Sequence, residues 1–290
     1  MQSLTAALVV IEDAASRVGQ SLAEECARAG AHLALFSCVK TLAQRVADDV
    51  SAVYCISARA YEVDLTDSTC MDIAMDQVLR DFSRDSVDVL ICNADELVGL
   101  PLLALSRDKM RHTVEKNALA SMHLTSLVLP RMVHQHHGHL VLFGTSAHLL
   151  GAPKLVDYCA SKLLVRSFCE ALRIELRLLG CQRDVVVTLI EPTLLCHTAT
   201  HSEERDEQRV RHGLLPSVWL EPKHVAQQTV RAVLEGEERV VLPRFVAVIE
   251  KLFMVLPRRI ITSIQSLLGL SRVMEHHIQP TASPHAFAAD

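Results

Sequence analysis

Tyr158-Cys159-Ala160-Ser161-Lys162 lies inside the stretch whose reading decides the fold. The apolar run Leu140 to Phe143 precedes it, as expected of a strand buried on both faces. Val156 to Leu179 has helical spacing and is closed by Gly180, a residue suited to the left-handed end of a helix. Asp184 to Ile190 is a second apolar run. A strand, a long helix and a strand in that order read as a parallel pair joined by a crossover. Within that helix Tyr158 and Lys162 are four residues apart, so they share one face. An ammonium beside a phenol favours the phenolate, which suits the tyrosine to exchange a proton with an alcohol or carbonyl oxygen.

The same alternation continues toward the N-terminus. Ala6 to Ile11, His32 to Phe36, Ala60 to Val63 and Val87 to Cys92 read as strands. Val18 to Ala29, Lys40 to Val50, a segment from the capping Asp67 to Phe82, and one long stretch from Ser106 to His137 read as helices. On the C-terminal side, Pro222 starts a helix to Glu235 and Arg239 to Leu242 is the last strand. The expected fold is α/β, a Rossmann-type doubly wound parallel sheet with helices on both faces and a C-terminal helical extension. Residues 1–243 are expected to form the dinucleotide-binding domain, 244–278 the extension, and 279–290 a disordered tail.

Composition narrows the function. The net charge of −5 over 290 residues argues against general nucleic-acid binding. Nine cysteines without a C-x-x-C pair suggest a reduced, intracellular protein with no zinc site. The run His134 to His139 has no cysteine or acid with it, and no metal is expected. Neither an N-terminal signal nor a window of about 18 apolar residues is evident.

In doubly wound sheets, ligands bind outside the carboxyl ends of the strands. Those ends carry Glu12 to Gly19, Asp64, Asn93-Ala94, Thr145 and Pro192. With Tyr158 and Lys162, and Asn117 in Lys116-Asn117-Ala118, these motifs make the chain resemble a short-chain dehydrogenase/reductase from about Leu4 to Leu242. The resemblance implies hydride transfer between NADP(H) or NAD(H) and an alcohol or ketone. It implies Tyr158 as general acid/base and Lys162 as the group that lowers its pKa and holds the nicotinamide ribose. Thr145, thirteen residues before the tyrosine, would orient the substrate oxygen, with Ser146 as its neighbouring alternative; Asn117 would anchor a relay water. The implied cofactor contacts are Ser16, Arg17, Val18, Gly19, Ser37, Lys40, Asp64, Leu65, Asn93, Ala94, Tyr158, Lys162, Pro192 and Thr198.

The sequence departs from that pattern at three glycines. The family's T-G-x-x-x-G-x-G reads Glu12-Asp13-Ala14-Ala15-Ser16-Arg17-Val18-Gly19, and its N-N-A-G reads Cys92-Asn93-Ala94-Asp95. Asp13 puts a carboxylate where an anion would dock, while the guanidinium of Arg17 can pair with a phosphate. Two readings stay open: a retained cofactor site with an adjusted loop, or a cofactor-poor scaffold that binds a lipid or a partner without turnover. Strand two ends in Ser37-Cys38-Val39-Lys40, with no acid for a ribose 2′-hydroxyl, which favours NADP over NAD.

From Arg239 to Met274 the chain has six Arg or Lys and one acid, Glu250. Apolar residues at 245, 249, 252, 253 and 256 recur at helical spacing. Residues 244–270 are therefore expected either to lie on a membrane or droplet surface or to pack internally. This tail is similar to that of the epidermal and type 10 retinol dehydrogenases and the type 11 and 13 17β-hydroxysteroid dehydrogenases. That likeness implies a small lipophilic substrate and a peripheral place at the endoplasmic reticulum or lipid droplet, the cytoplasm otherwise. The broad apolar face of the Val156–Leu179 helix and the family's habit imply a homodimer.

Overall fold

The structure is a computed structural model, and it describes residues 3–150, 153–195 and 219–267. Thr198, the charged stretch 203–211 and residues 268–290 lie outside the described residues.

Seven parallel strands form one sheet. They are β1 (Leu8–Ile11), β2 (His32–Ser37), β3 (Ala58–Glu62), β4 (Val89–Cys92), β5 (Gly138–Phe143), β6 (Val185–Pro192) and β9 (Arg239–Leu242). Leu194–Leu195 (β7) and Trp219–Leu220 (β8) form a separate short pair. The sheet order is β3-β2-β1-β4-β5-β6-β9, so the winding reverses between β1 and β4. That reversal opens a crevice at the carboxyl ends of β1 and β4, the place where such sheets receive ligands.

Each sheet face has its own aliphatic core. On one side pack α1 (Arg17–Arg28), α2 (Lys40–Tyr54) and α7 (Pro222–Glu235). On the other pack α3 (Ser68–Phe82), α5 (Ala120–His134) and α6 (Val156–Leu178). Local chemistry sets the helix ends. The Asp67 carboxylate accepts from the amides of Thr69 and Cys70 to start α3. Gly30, Gly180 and Gly236 follow α1, α6 and α7 with positive φ.

The expected single helix from Ser106 to His137 is corrected by the structure. It comprises α4 (Arg107–Val114), a π-helical turn (Glu115–Leu119) and α5. Gly138 does not cap it but opens β5, and a Cβ there would come within 2.5 Å of the Met132 side chain.

Beyond β9 run α8 (Phe245–Val255) and α9 (Arg258–Leu267). Val246 and Glu250 of α8 are buried. Phe245, Val248, Leu252 and Val255 are exposed, at spacings of three and four residues, so they form one outward stripe. The outward face is thus rotated from the expected set, since Ile249, Phe253 and Leu256 are half-buried.

Candidate functional site

The crevice is assembled from loops that strands β1, β4, β5 and β6 end in, together with α6 and the π-helical turn. Tyr158, Lys162, Thr145 and Asn117 are all buried there. The Lys162 ammonium donates to the carbonyls of Ala94 (2.6 Å) and Phe143 (3.2 Å). These contacts tie α6 to the ends of β4 and β5. The Thr145 hydroxyl donates to the carbonyl of Pro192 at 3.1 Å and accepts from the amide of Ala147. Thr145 also acts against the rise in the Tyr158 pKa, though less than burial and Asp95 act for it. Ser146 is buried beside it, and its amide donates to the Pro192 carbonyl.

Asn117 is held by the π-helical turn, a distortion common at functional sites. Its amide group accepts from the backbone N–H of Glu96 (2.6 Å) and donates to the Glu96 carbonyl (2.9 Å) and to Ser161 (3.1 Å). The Asn117 side chain therefore clamps the segment after β4 onto α6.

Asp95 enters the site, which its reading as a lost glycine did not anticipate. The Tyr158 hydroxyl donates to Asp95 Oδ1 at 2.9 Å, and the Lys162 ammonium lies 3.3 Å from the same oxygen. Burial, then the Asp95 carboxylate, push the Tyr158 phenol well above its ordinary pKa. The lowering expected from Lys162 does not decide the outcome: burial first, and Asp95 after it, favour the protonated phenol.

The first loop holds two further carboxyls. Asp13 takes a left-handed backbone, φ 51°, in the place of a glycine. Ser16 donates to the Asp13 carbonyl at 2.8 Å and caps α1 by accepting from the Gly19 amide at 3.1 Å. Gly19 is the glycine that cannot change, since a Cβ would sit 2.3 Å from the Asp13 carbonyl oxygen. Val18 is buried, whereas Arg17 is exposed at the helix start. Burial raises the Asp13 carboxyl, with Lys116 opposing and Asp95 and Glu96 adding to the rise. Lys116 also pairs with Glu96 at 2.9 Å.

Glu12 is fully buried; its Oε2 accepts from the Ala94 amide (3.2 Å) and the Ser121 hydroxyl (3.3 Å). Its Oε1 has no hydrogen-bond partner among the described residues. Burial therefore raises its pKa to about 7. A carboxyl held above its unfolded value favours folding below that value and loses the benefit as pH rises through the folded one. Glu12→Gln should thus match the native protein near pH 4.5. At pH 8 it should be more stable, by on the order of 3 kcal/mol. Urea midpoints at a series of pH values check this; a stability difference that does not change with pH would refute it.

The remaining expected contacts are spread along the same edge. The Asn93 amide donates to the Glu12 carbonyl at 2.5 Å, and the Ser37 hydroxyl accepts from the Val39 amide at 3.1 Å. Asp64 accepts from Thr66 at 2.8 and 2.7 Å beside buried Leu65, and its carboxyl is held below the usual range by those hydrogen bonds. Lys40 is exposed at the start of α2. The donor set fits the ribose end of a dinucleotide: a phenol and an ammonium converge on one acceptor oxygen, where a hydroxyl could stand in for Asp95. At the phosphate end the α1 N-terminus and Arg17 suit an anion, and Asp13 opposes it.

The short chain dehydrogenase family model matches residues 7–209. Epidermal retinol dehydrogenase 2 of Mus musculus is 28% identical over 275 residues, covering 92% of this chain and 84% of that protein. Human 17-beta-hydroxysteroid dehydrogenase 13 is 24% identical over 260 residues, covering 89% of this chain and 82% of that protein. Among solved structures, a short chain dehydrogenase/reductase from Burkholderia phymatum, in complex with NAD, superposes with a TM-score of 0.73 at 24% identity; the match covers 86% of this chain and 94% of that one.

Proposed function

The chain belongs to the short-chain dehydrogenase family, and from that premise we propose that it transfers a hydride between a nicotinamide dinucleotide and a lipophilic alcohol or ketone of the retinoid or steroid class. The observation that carries this reading is the convergence of the Tyr158 hydroxyl and the Lys162 ammonium on one oxygen, with the Thr145 hydroxyl alongside. Bound NADP(H) or NAD(H) supplies the hydride donor or acceptor.

The chain's own residues do the rest. Tyr158 gives a proton to, or takes one from, the substrate oxygen, and Thr145 orients that oxygen. Lys162 holds the ribose and Asn117 keeps the post-β4 segment in place. Ser16, Arg17, Val18 and Gly19 would face the phosphates. Ser37 and Lys40 would meet the adenosine ribose; Asp64 and Leu65 the adenine; Asn93, Ala94, Pro192 and Thr198 the nicotinamide side. Lys40 without an acid at the end of β2 favours NADP. The names of the relatives support the substrate class.

The decisive measurement is turnover of a retinoid and steroid panel with each dinucleotide. Nicotinamide absorbance should change with at least one pair. A second reading is favoured by Asp13 and Asp95, a scaffold that holds a lipid or partner without turnover. Calorimetric titration showing no binding of either dinucleotide at millimolar concentration would replace the first reading by this one.

The outward stripe of α8, flanked by exposed Arg244, Lys251 and Arg259, supports peripheral contact of 244–270 with an anionic lipid surface, at the endoplasmic reticulum or a lipid droplet. Flotation with anionic liposomes tests that contact. On α6, Leu172 and Leu176 are buried, while Leu163, Ile174 and Leu178 remain exposed. This smaller face supports a homodimer, and sedimentation as a monomer at tens of micromolar would count against it.

A further inference from the structure

We propose that Asp95 is an internal occupant of the site: its carboxylate takes the acceptor position between Tyr158 and Lys162 and must leave before a ribose hydroxyl can use those donors. The inference rests on the reading of that pair as the ribose end of a dinucleotide site.

An ammonium has three N–H donors and a phenol has one. The Lys162 donors face Ala94, Phe143 and Asp95, at 2.6, 3.2 and 3.3 Å. The phenol donor faces Asp95 as well, at 2.9 Å. An incoming hydroxyl therefore finds no donor on either group until the Asp95 contact is given up. Glycine, the residue of the family pattern at this position, has no side chain that could compete. The backbone at Asp95 is not in the left-handed region, so the aspartate sits there without strain and glycine would be accepted equally well. The crevice around it is rich in like charge: Asp13 and Glu96 face the same space, offset by Lys116 and Lys162. A dinucleotide's phosphates add to that charge, so a carboxylate here opposes binding by position and by sign.

The test uses the full-length protein with Asp95→Gly and the isosteric Asp95→Asn, and two readouts. Calorimetry with NADPH and NADH should show binding about tenfold or more tighter for Asp95→Gly, with Asp95→Asn in between. Ultraviolet titration of the tyrosinate band, without any nucleotide, should show the Tyr158 transition at lower pH in both variants. The protein has three tyrosines, and the same titration on a Tyr158→Phe background identifies the one that moves. A lower Tyr158 transition without nucleotide binding in any form would uphold Asp95 as occupant and reject the dinucleotide reading. An unmoved Tyr158 transition, or unchanged nucleotide affinity in variants that do bind, would overturn the proposal.

Discussion

Replacing Tyr158 with phenylalanine is expected to lower turnover by about 10²–10⁴-fold, the usual worth of a positioned general acid or base. The ring packs in the crevice with only 6% of its surface exposed, and phenylalanine preserves that packing. What disappears is one hydroxyl, with its bond to Asp95. Loss of a hydrogen bond to a charged acceptor costs about 1.5–3 kcal/mol of stability, less than the total stability of a typical domain. A matching drop in kcat and kcat/KM would place the lost interaction in the transition state. The direction of the Tyr158 shift adds a pH signature. Burial, the larger cause of the rise, persists when Asp95 has given up its contact, so the phenol stays protonated through neutral pH. Ketone reduction uses the protonated form and should hold across that range. Alcohol oxidation needs the phenolate and should rise with pH. Equal turnover by the phenylalanine variant and the native protein would remove Tyr158 from the mechanism.

The frame of the site is legible in the sequence because it depends on local pattern. The runs Val87 to Cys92 and Leu140 to Phe143 read as buried strands, and the structure places the strands they form side by side. The bounds of α7 follow from Pro222 and Gly236, and those of β9 from its apolar run. The four-residue step from Tyr158 to Lys162 puts both on one helix face by helical geometry alone. What escapes the sequence is contact between distant positions. Asp95 meets a tyrosine 63 residues away, and nothing near Asp95 announces it. Its replacement of a patterned glycine marks the position as unusual, and that signal points to lost binding rather than to a new partner. The π-helical turn is likewise invisible, since Glu115 to Leu119 has ordinary helix-forming residues. Glu12 looks like a loop residue but is buried, because its neighbours close over it only when β1 and β4 pair.

Glu250 shows the same limit and leads to a large expected effect on stability. In the sequence it is a lone acid in a basic, apolar tail. In the fold it turns inward and joins Glu191, Arg166 and Arg239 in a charge network whose acids are buried and whose guanidinium groups are half-buried. Arg166 lies 2.6 Å from Glu250 and 3.4 Å from Glu191; Arg239 lies 2.6 Å from Glu191 and also bonds Glu250. Both acids are essentially excluded from water, Glu191 at 0% and Glu250 at 2% exposure. Two acids and two guanidinium groups balance, so each carboxylate has a cation in contact. Arg166 stands one helical turn beyond Lys162 on α6, so the network ties the C-terminal helix to the helix that carries the candidate chemistry. It also fixes the rotation of α8: with Glu250 inward, Phe245, Val248, Leu252 and Val255 must face out. Arg239→Met would leave two buried carboxylates sharing one cation. Breaking a buried pair from one side in this way costs about 3–5 kcal/mol. Adding Glu191→Gln should recover part of that loss, because it restores one acid to one base. Urea unfolding of the single and double variants at neutral pH measures both steps. A loss below about 1 kcal/mol for Arg239→Met would mean that water reaches the network and that it contributes no more than a surface pair.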